Sequence, residues 1–112
     1  MAIVRIDAYR TTNFATITGS FTTVGAALTK NWRMFRIVNN TNGDLIFSVD
    51  GTTNNLFVPA NSFVLYDCAT NAPPIQSSDT FVFAIGTQFY VKSSTAPTSG
   101  DVYIEGIYAQ GV

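Results

Sequence analysis

Along most of this chain apolar residues recur at every second position, and Asn, Gly, Pro and Ser cut each run short before a helix gathers turns. That pattern leaves β-sheet as the fold such a chain can form. Residues 2–9 place Ala2, Val4, Ile6 and Ala8 on one side and Ile3, Arg5, Asp7 and Tyr9 on the other. Residues 14–24 are Thr-rich, with Ile17, Gly19 and Phe21 on one side and Gly19 marking a bulge. Only residues 24–30 lean toward helix, and so short a segment does not nucleate one. They read as a loop with one turn.

Residues 33–39 return to a strand, with Phe35 and Ile37 facing one way and Arg36 and Val38 the other. The Asn-Asn-Thr-Asn-Gly run at 39–43 predicts a turn, because Asn and Gly tolerate positive φ. Residues 44–50 follow as its hairpin partner, with Leu45, Phe47 and Val49 on one face. Asp50-Gly51 opens a second turn. Residues 56–58 form a short strand stopped by Pro59, and 62–68 form another. Residues 69–79, with Pro73-Pro74 inside them, read as a long irregular connection. Residues 80–85 and 88–93 read as a pair around Gly86, and 94–100 as a loop. Residues 102–109 close the fold with Val102, Ile104 and Tyr108 on one face. Eight or nine short strands with turns every 8–12 residues predict an all-β chain: one antiparallel β-sandwich, jelly-roll-like, over residues 1–112.

Composition narrows the function classes. The chain has 112 residues, enough for one domain with a real core. At 46% hydrophobic and 12% charged it is not a disordered chain. Six cations against seven acids, with Lys30, Arg33 and Arg36 the nearest approach to a cluster, argue against nucleic acid as a partner. No apolar run approaches the roughly 18 residues of a membrane helix. The start of the chain lacks a basic region ahead of an apolar one, so synthesis in the cytoplasm without a signal peptide is expected. Histidine is absent and Cys68 is the single cysteine. That excludes a His-dependent triad, a multi-His metal site, a zinc ribbon and a disulfide scaffold. Cys68 reads as a buried structural thiol.

The remaining candidates for chemistry are sparse. The loop Asp50-Gly-Thr-Thr-Asn-Asn offers oxygen ligands but misses the spacing of a calcium-binding EF loop, so it reads as a turn. Asp44, Asp50 and Asp67 sit at strand ends, where Asp caps turns. Glu105 is the one acid well inside a strand and has no acidic mate for glycoside hydrolysis. No enzymatic activity, metal or cofactor is expected. Trp32, Tyr66, Tyr90 and Tyr103 are the candidates for stacking on sugar rings. Core or subunit contact is the preferred reading for them, because aromatics dominate both.

Four segments carry a family resemblance: Phe35-Arg-Ile-Val-Asn-Asn-Thr, Phe47-Ser-Val-Asp-Gly-Thr-Thr, Phe57-Val-Pro-Ala-Asn-Ser-Phe-Val-Leu-Tyr-Asp and Gly100-Asp-Val-Tyr-Ile-Glu-Gly-Ile-Tyr-Ala. In this order, over residues 32–109, they resemble a group of small all-β virion structural proteins of tailed bacteriophages. The resemblance implies a role in the particle and not a reaction: a capsid decoration protein, or a neck or tail ring or adaptor. It implies other virion proteins and further copies of the chain as partners. Residues 1–30 lie outside the resemblance and are expected to serve as an assembly-contact segment, an N-terminal strand adding to another sheet edge. The candidate interface residues are Ile3, Arg5, Tyr9, Trp32, Tyr66 and Tyr90. A carbohydrate- or receptor-binding module is the alternative from a different class.

Overall fold

The computed structural model describes residues 2–67 and 83–111. Among them nine strands form two antiparallel sheets: β1 (Ala2–Ile6), β2 (Arg10–Asn13), β3 (Thr22–Thr23), β4 (Trp32–Thr41), β5 (Leu45–Ser48), β6 (Leu56–Val58), β7 (Ser62–Asp67), β8 (Tyr90–Ser93) and β9 (Gly100–Gly111). The first sheet runs β1-β9-β4-β7, with β2 also on β9, and the second runs β3-β8-β5-β6. With β1 and β2 counted as one broken strand, this is an eight-stranded jelly roll.

The alternation of β4 and β9 sets the layers. Phe35, Ile37, Asn39 and Thr41 of β4 face inward and are buried, as are Val102, Ile104 and Gly106 of β9. They meet Leu45, Phe47, Val58 and Val91 from the second sheet, while Val24, Leu28 and Phe89 close the core from the loops. Full burial of each such side chain contributes roughly 1.5–3 kcal/mol. At one end Phe35, Phe83 and Phe89 meet edge-on or tilted at centroid distances of 4.6–6.0 Å.

The break in the first strand inverts its faces. Ile6 lies opposite Ile107 and Arg10 opposite Ile104, so four steps on one strand match three on the other. The extra residue is a bulge. Before it, Val4 and Ile6 point outward. After it, Arg10 points inward and its guanidinium lies 5.4 Å from the Trp32 ring centroid. Asp7, in the break, accepts the Trp32 indole Nε1–H at 2.9 Å and lies 3.6 Å from the Arg10 guanidinium.

Several expected elements differ. Residues 14–24 are not one strand. Asn13 accepts the Ala15 N–H and caps a 3₁₀ turn at Phe14–Thr16, and only Thr22–Thr23 pairs, with β8. Gly19 therefore marks no bulge. β4 and β5 are not a hairpin, because they belong to opposite sheets, and the Asn-rich turn is the corner between them. β8 pairs with β5 and β3; of the expected strand at 80–85, residues 80–82 lie outside the described residues and Phe83 forms an isolated bridge to Trp32. The hairpin around Asp50-Gly51 is β5–β6, and Pro59 follows its second strand as expected. Cys68 and the connection at 69–79 lie outside the described residues.

Candidate interaction surface

The outward face of the first sheet is built row by row from the strand register. Ile6, Ile107 and Met34 form one row, and Tyr103, Val38 and Phe63 another. Glu105, Arg36 and Leu65 form the row between. Tyr9 packs edge-on against Tyr103 at 5.4 Å. The exposed apolar side chains of this face sit on its two flanks: Val4 at 69%, Ile6 at 81% and Tyr9 at 58% on one, Phe63 at 59% and Leu65 at 56% on the other. A depression of about 390 Å³ lies among Ile6, Tyr9, Met34, Arg36, Leu65 and Glu105.

One ion pair crosses the middle. The Arg36 Nε–H donates to Glu105 Oε1 at 2.6 Å, Nη2 lies 2.5 Å from the same oxygen, and the guanidinium also lies 5.6 Å from the Phe63 ring centroid. Each side chain remains about two-fifths exposed, 44% for Arg36 and 40% for Glu105. Glu105, without an acidic mate in the sequence, thus has a basic one on the neighbouring strand. In water such a cross-strand pair contributes about 0.2–1 kcal/mol.

The six candidate interface residues do not converge. Trp32 is a correction: it is fully buried, its ring lying against Gly106 and beneath Arg10, so it reaches no surface. Tyr9 belongs to the apolar face just described. Arg5 is exposed on β1, opposite Tyr108. Ile3 pairs with Gln110 through the backbone, and its side chain lies outside what is described. Tyr66 stacks on Phe35 at 5.3 Å where the sandwich opens. Tyr90 is half-buried on the second sheet, with Gly51 passing over its ring. Tyr103 is likewise half-buried. Each of these rings has one neighbour already packed on it, Phe35 on Tyr66, Gly51 on Tyr90 and Tyr9 on Tyr103, and only Tyr66 of the three stays exposed.

Ile6, Phe63 and Leu65 were not among the sequence candidates. The signal for β7 was available: Ser-Phe-Val-Leu-Tyr-Asp is apolar at both parities, and only one face of a strand in a sandwich meets the core.

The acids do other work. The Asp50 carboxylate accepts the Thr53 Oγ1–H at 2.6 Å, the Thr53 and Thr52 N–H groups at 2.7 and 2.8 Å, and the Ser48 Oγ–H at 2.8 Å. These donors, the Thr53 hydroxyl first, hold its carboxyl far below the usual carboxylate range. The loop is an Asx-type turn closed on its own backbone, with Gly51 at φ 80°. A carboxyl with a depressed folded-state pKa adds stability above its unfolded pKa of about 3.9, and that stability is lost as pH falls toward the folded value. Asp50→Asn is therefore expected to destabilise the chain at neutral pH and to make less difference in strong acid. Carboxyl titration by NMR checks this, with a midpoint in the ordinary Asp range as the contrary result. Asp44 accepts the Ala60 N–H, and among the described residues no three His, Cys, Asp or Glu side chains converge.

The cations are dispersed, with Lys30 over Tyr108, Lys92 over Phe21 and Arg36 on Glu105. Among the described residues no helix is long and apolar enough to cross a membrane. Comparison with protein-family models, with curated proteins and with solved structures finds no match to this chain.

Proposed function

We propose that this chain is a non-enzymatic structural component of a tailed-phage virion, a capsid decoration protein that stabilises the shell through subunit contacts. The observation that carries the reading is the apolar outward face of the first sheet. A soluble monomer seldom exposes so many apolar side chains on one sheet face without using them. The charge-poor composition and the sequence resemblance over residues 32–109 support the same reading. The jelly roll itself is compatible but carries no weight, since one fold serves many functions. Assembly gains from many copies, because modest contacts repeated across a shell add as avidity.

Mass spectrometry of particles purified from cells carrying this coding sequence tests the proposal. The expected result is a chain present in a fixed ratio to the major capsid protein and located on the shell by reconstruction. Particles that lack it while the soluble fraction contains it would refute the reading. Density in the neck or tail would replace the shell role with a ring or adaptor role.

A further inference from the structure

We infer that the outward face of the β1/β2-β9-β4-β7 sheet is the contact between two copies of this chain, packed face to face about a two-fold axis that runs along the strands between β4 and β9. This deepens the assembly reading and rests on it. Three observations lead to a second copy as the occupant.

The first is size. The face is four strands wide and up to 12 residues long. Its strands together hold 37 residues, which at about 4.8 Å between strands and about 3.3 Å per residue cover on the order of 600 Å². A stable protein–protein contact takes about 800 Å² from each partner. The face thus falls at the lower end of the range for such contacts, about 600–1,000 Å² per partner, and sheets stack face to face at about 10 Å.

The second is the distribution of apolar groups. On this face the exposed ones lie on the flanks, Val4, Ile6 and Tyr9 on one and Phe63 and Leu65 on the other. An axis between the two central strands exchanges the flanks. Phe63 of one copy then meets the partner's Tyr9, and each edge covers the other.

The third is charge. Arg36 and Glu105 are directly opposed across β4 and β9, on either side of that axis. The rotation sets the guanidinium of one copy over the partner's Glu105, and the carboxylate over the partner's Arg36. The pair is its own complement, as an isologous contact requires. Both close contacts of the intrachain pair fall on Glu105 Oε1, so Oε2 and the Arg36 Nη1 group remain to bond across the interface. A heterologous partner would have no reason to match one arginine and one glutamate placed symmetrically about the centre of the face.

Sedimentation of the purified chain, with charge-reversed variants, tests this. The wild-type chain is expected to sediment as a dimer at micromolar concentration. Arg36→Glu places four carboxylates at the axis and Glu105→Arg four guanidinium groups, so each variant alone is expected to weaken the dimer about 100-fold or more. Mixing the two variants restores opposite charges across the axis, and a mixed dimer near wild-type strength is expected. An intrachain role for the pair gives no such rescue. Leu65→Thr, on the flank, is expected to weaken the dimer about tenfold with the ion pair intact. Circular dichroism confirms that each variant is folded. A chain that stays monomeric at 100-fold higher concentration overturns the inference, and so does a dimer that neither reversal weakens or that mixing fails to restore. Particle incorporation is measured separately on the wild-type chain, so a monomer found stoichiometrically in virions sinks this contact and leaves the virion reading standing.

Discussion

Gly106→Ala is expected to destabilise the fold by about 3 kcal/mol or more, although in most strands the same exchange would help. Gly106 faces inward on β9, and the Trp32 indole lies flat against its backbone. A Cβ at this position would come 2.0 Å from Cδ2, 2.2 Å from Cε3 and 2.3 Å from Cε2 of the ring. Those atoms belong to a rigid fused ring and cannot step aside. The ring is held by four contacts: Asp7 accepts its Nε1–H, the Arg10 guanidinium lies over it, Phe89 packs beside it, and the Trp32 backbone exchanges two hydrogen bonds with Phe83. Accommodating one methyl therefore means expelling the indole or separating β9 from β4. Expulsion loses the burial of the largest core side chain and a hydrogen bond to a carboxylate, which alone is worth about 1.5–3 kcal/mol. Denaturant unfolding measures the loss, and red-shifted tryptophan emission reports where the ring has gone. A double-mutant cycle isolates the cause: in a Trp32→Ala background the Gly106→Ala cost should nearly vanish. Equal costs in the two backgrounds would mean that the clash is not what matters.

This contact also shows why sequence periodicity located the strands better than the surfaces. Inward positions on β4 and β9 were legible because Phe35, Ile37, Val102 and Ile104 repeat at period two beside polar or turn residues. Trp32 precedes that run, and what makes room for it is a glycine at the far end of the chain. No local pattern connects the two. The N-terminal strand was misleading for a different reason. Its alternation was read as continuous through residue 9, but the extra residue at the Asp7 break changes parity between Ile6 and Arg10. Ile6 thereby joins the outward face and Arg10 turns to the inward side over Trp32, which alternation from either end alone does not reveal. Residues 14–24 failed as a strand because Asn13 and Thr16 satisfy local backbone groups with their side chains. Such polar residues compete with ladder pairing wherever no apolar face enforces it. The sandwich was legible because it depends on the count and spacing of strands. The apolar face was not, because it depends on which neighbour each strand takes.

Asn39→Leu is expected to cost about 3–5 kcal/mol, and the reason lies in the corner that the sequence presented as a hairpin. Asn39 is completely buried at the point where β4 leaves the first sheet. Its Nδ2 group donates to the carbonyls of Gly43 at 2.8 Å, Val58 at 3.0 Å and Pro59 at 3.1 Å. Its Oδ1 accepts the Thr41 N–H at 3.1 Å and the Thr41 Oγ1–H at 2.6 Å. One carboxamide thus joins β4, the turn into β5 and the end of β6, three segments that belong to both sheets. Leucine matches its branched outline with bulkier methyl groups and makes none of its bonds, so partners that have no other hydrogen bond are left buried and unsatisfied at about 1–3 kcal/mol each, less whatever water enters. Asn39→Asp supplies a signature that a packing defect lacks. A carboxylate still accepts from Thr41 but faces three carbonyl oxygens, so burial and repulsion raise its folded pKa above the unfolded value of about 3.9. Stability is then greatest below that pH and is lost as pH rises toward the folded pKa. The Asn39→Asp chain should accordingly become more stable on mild acidification while Asn39→Leu does not. Faster hydrogen exchange at the Thr41 and Gly43 amides in both variants would locate the damage at the corner. If neither variant changes unfolding or exchange, the carboxamide does not hold the two sheets together.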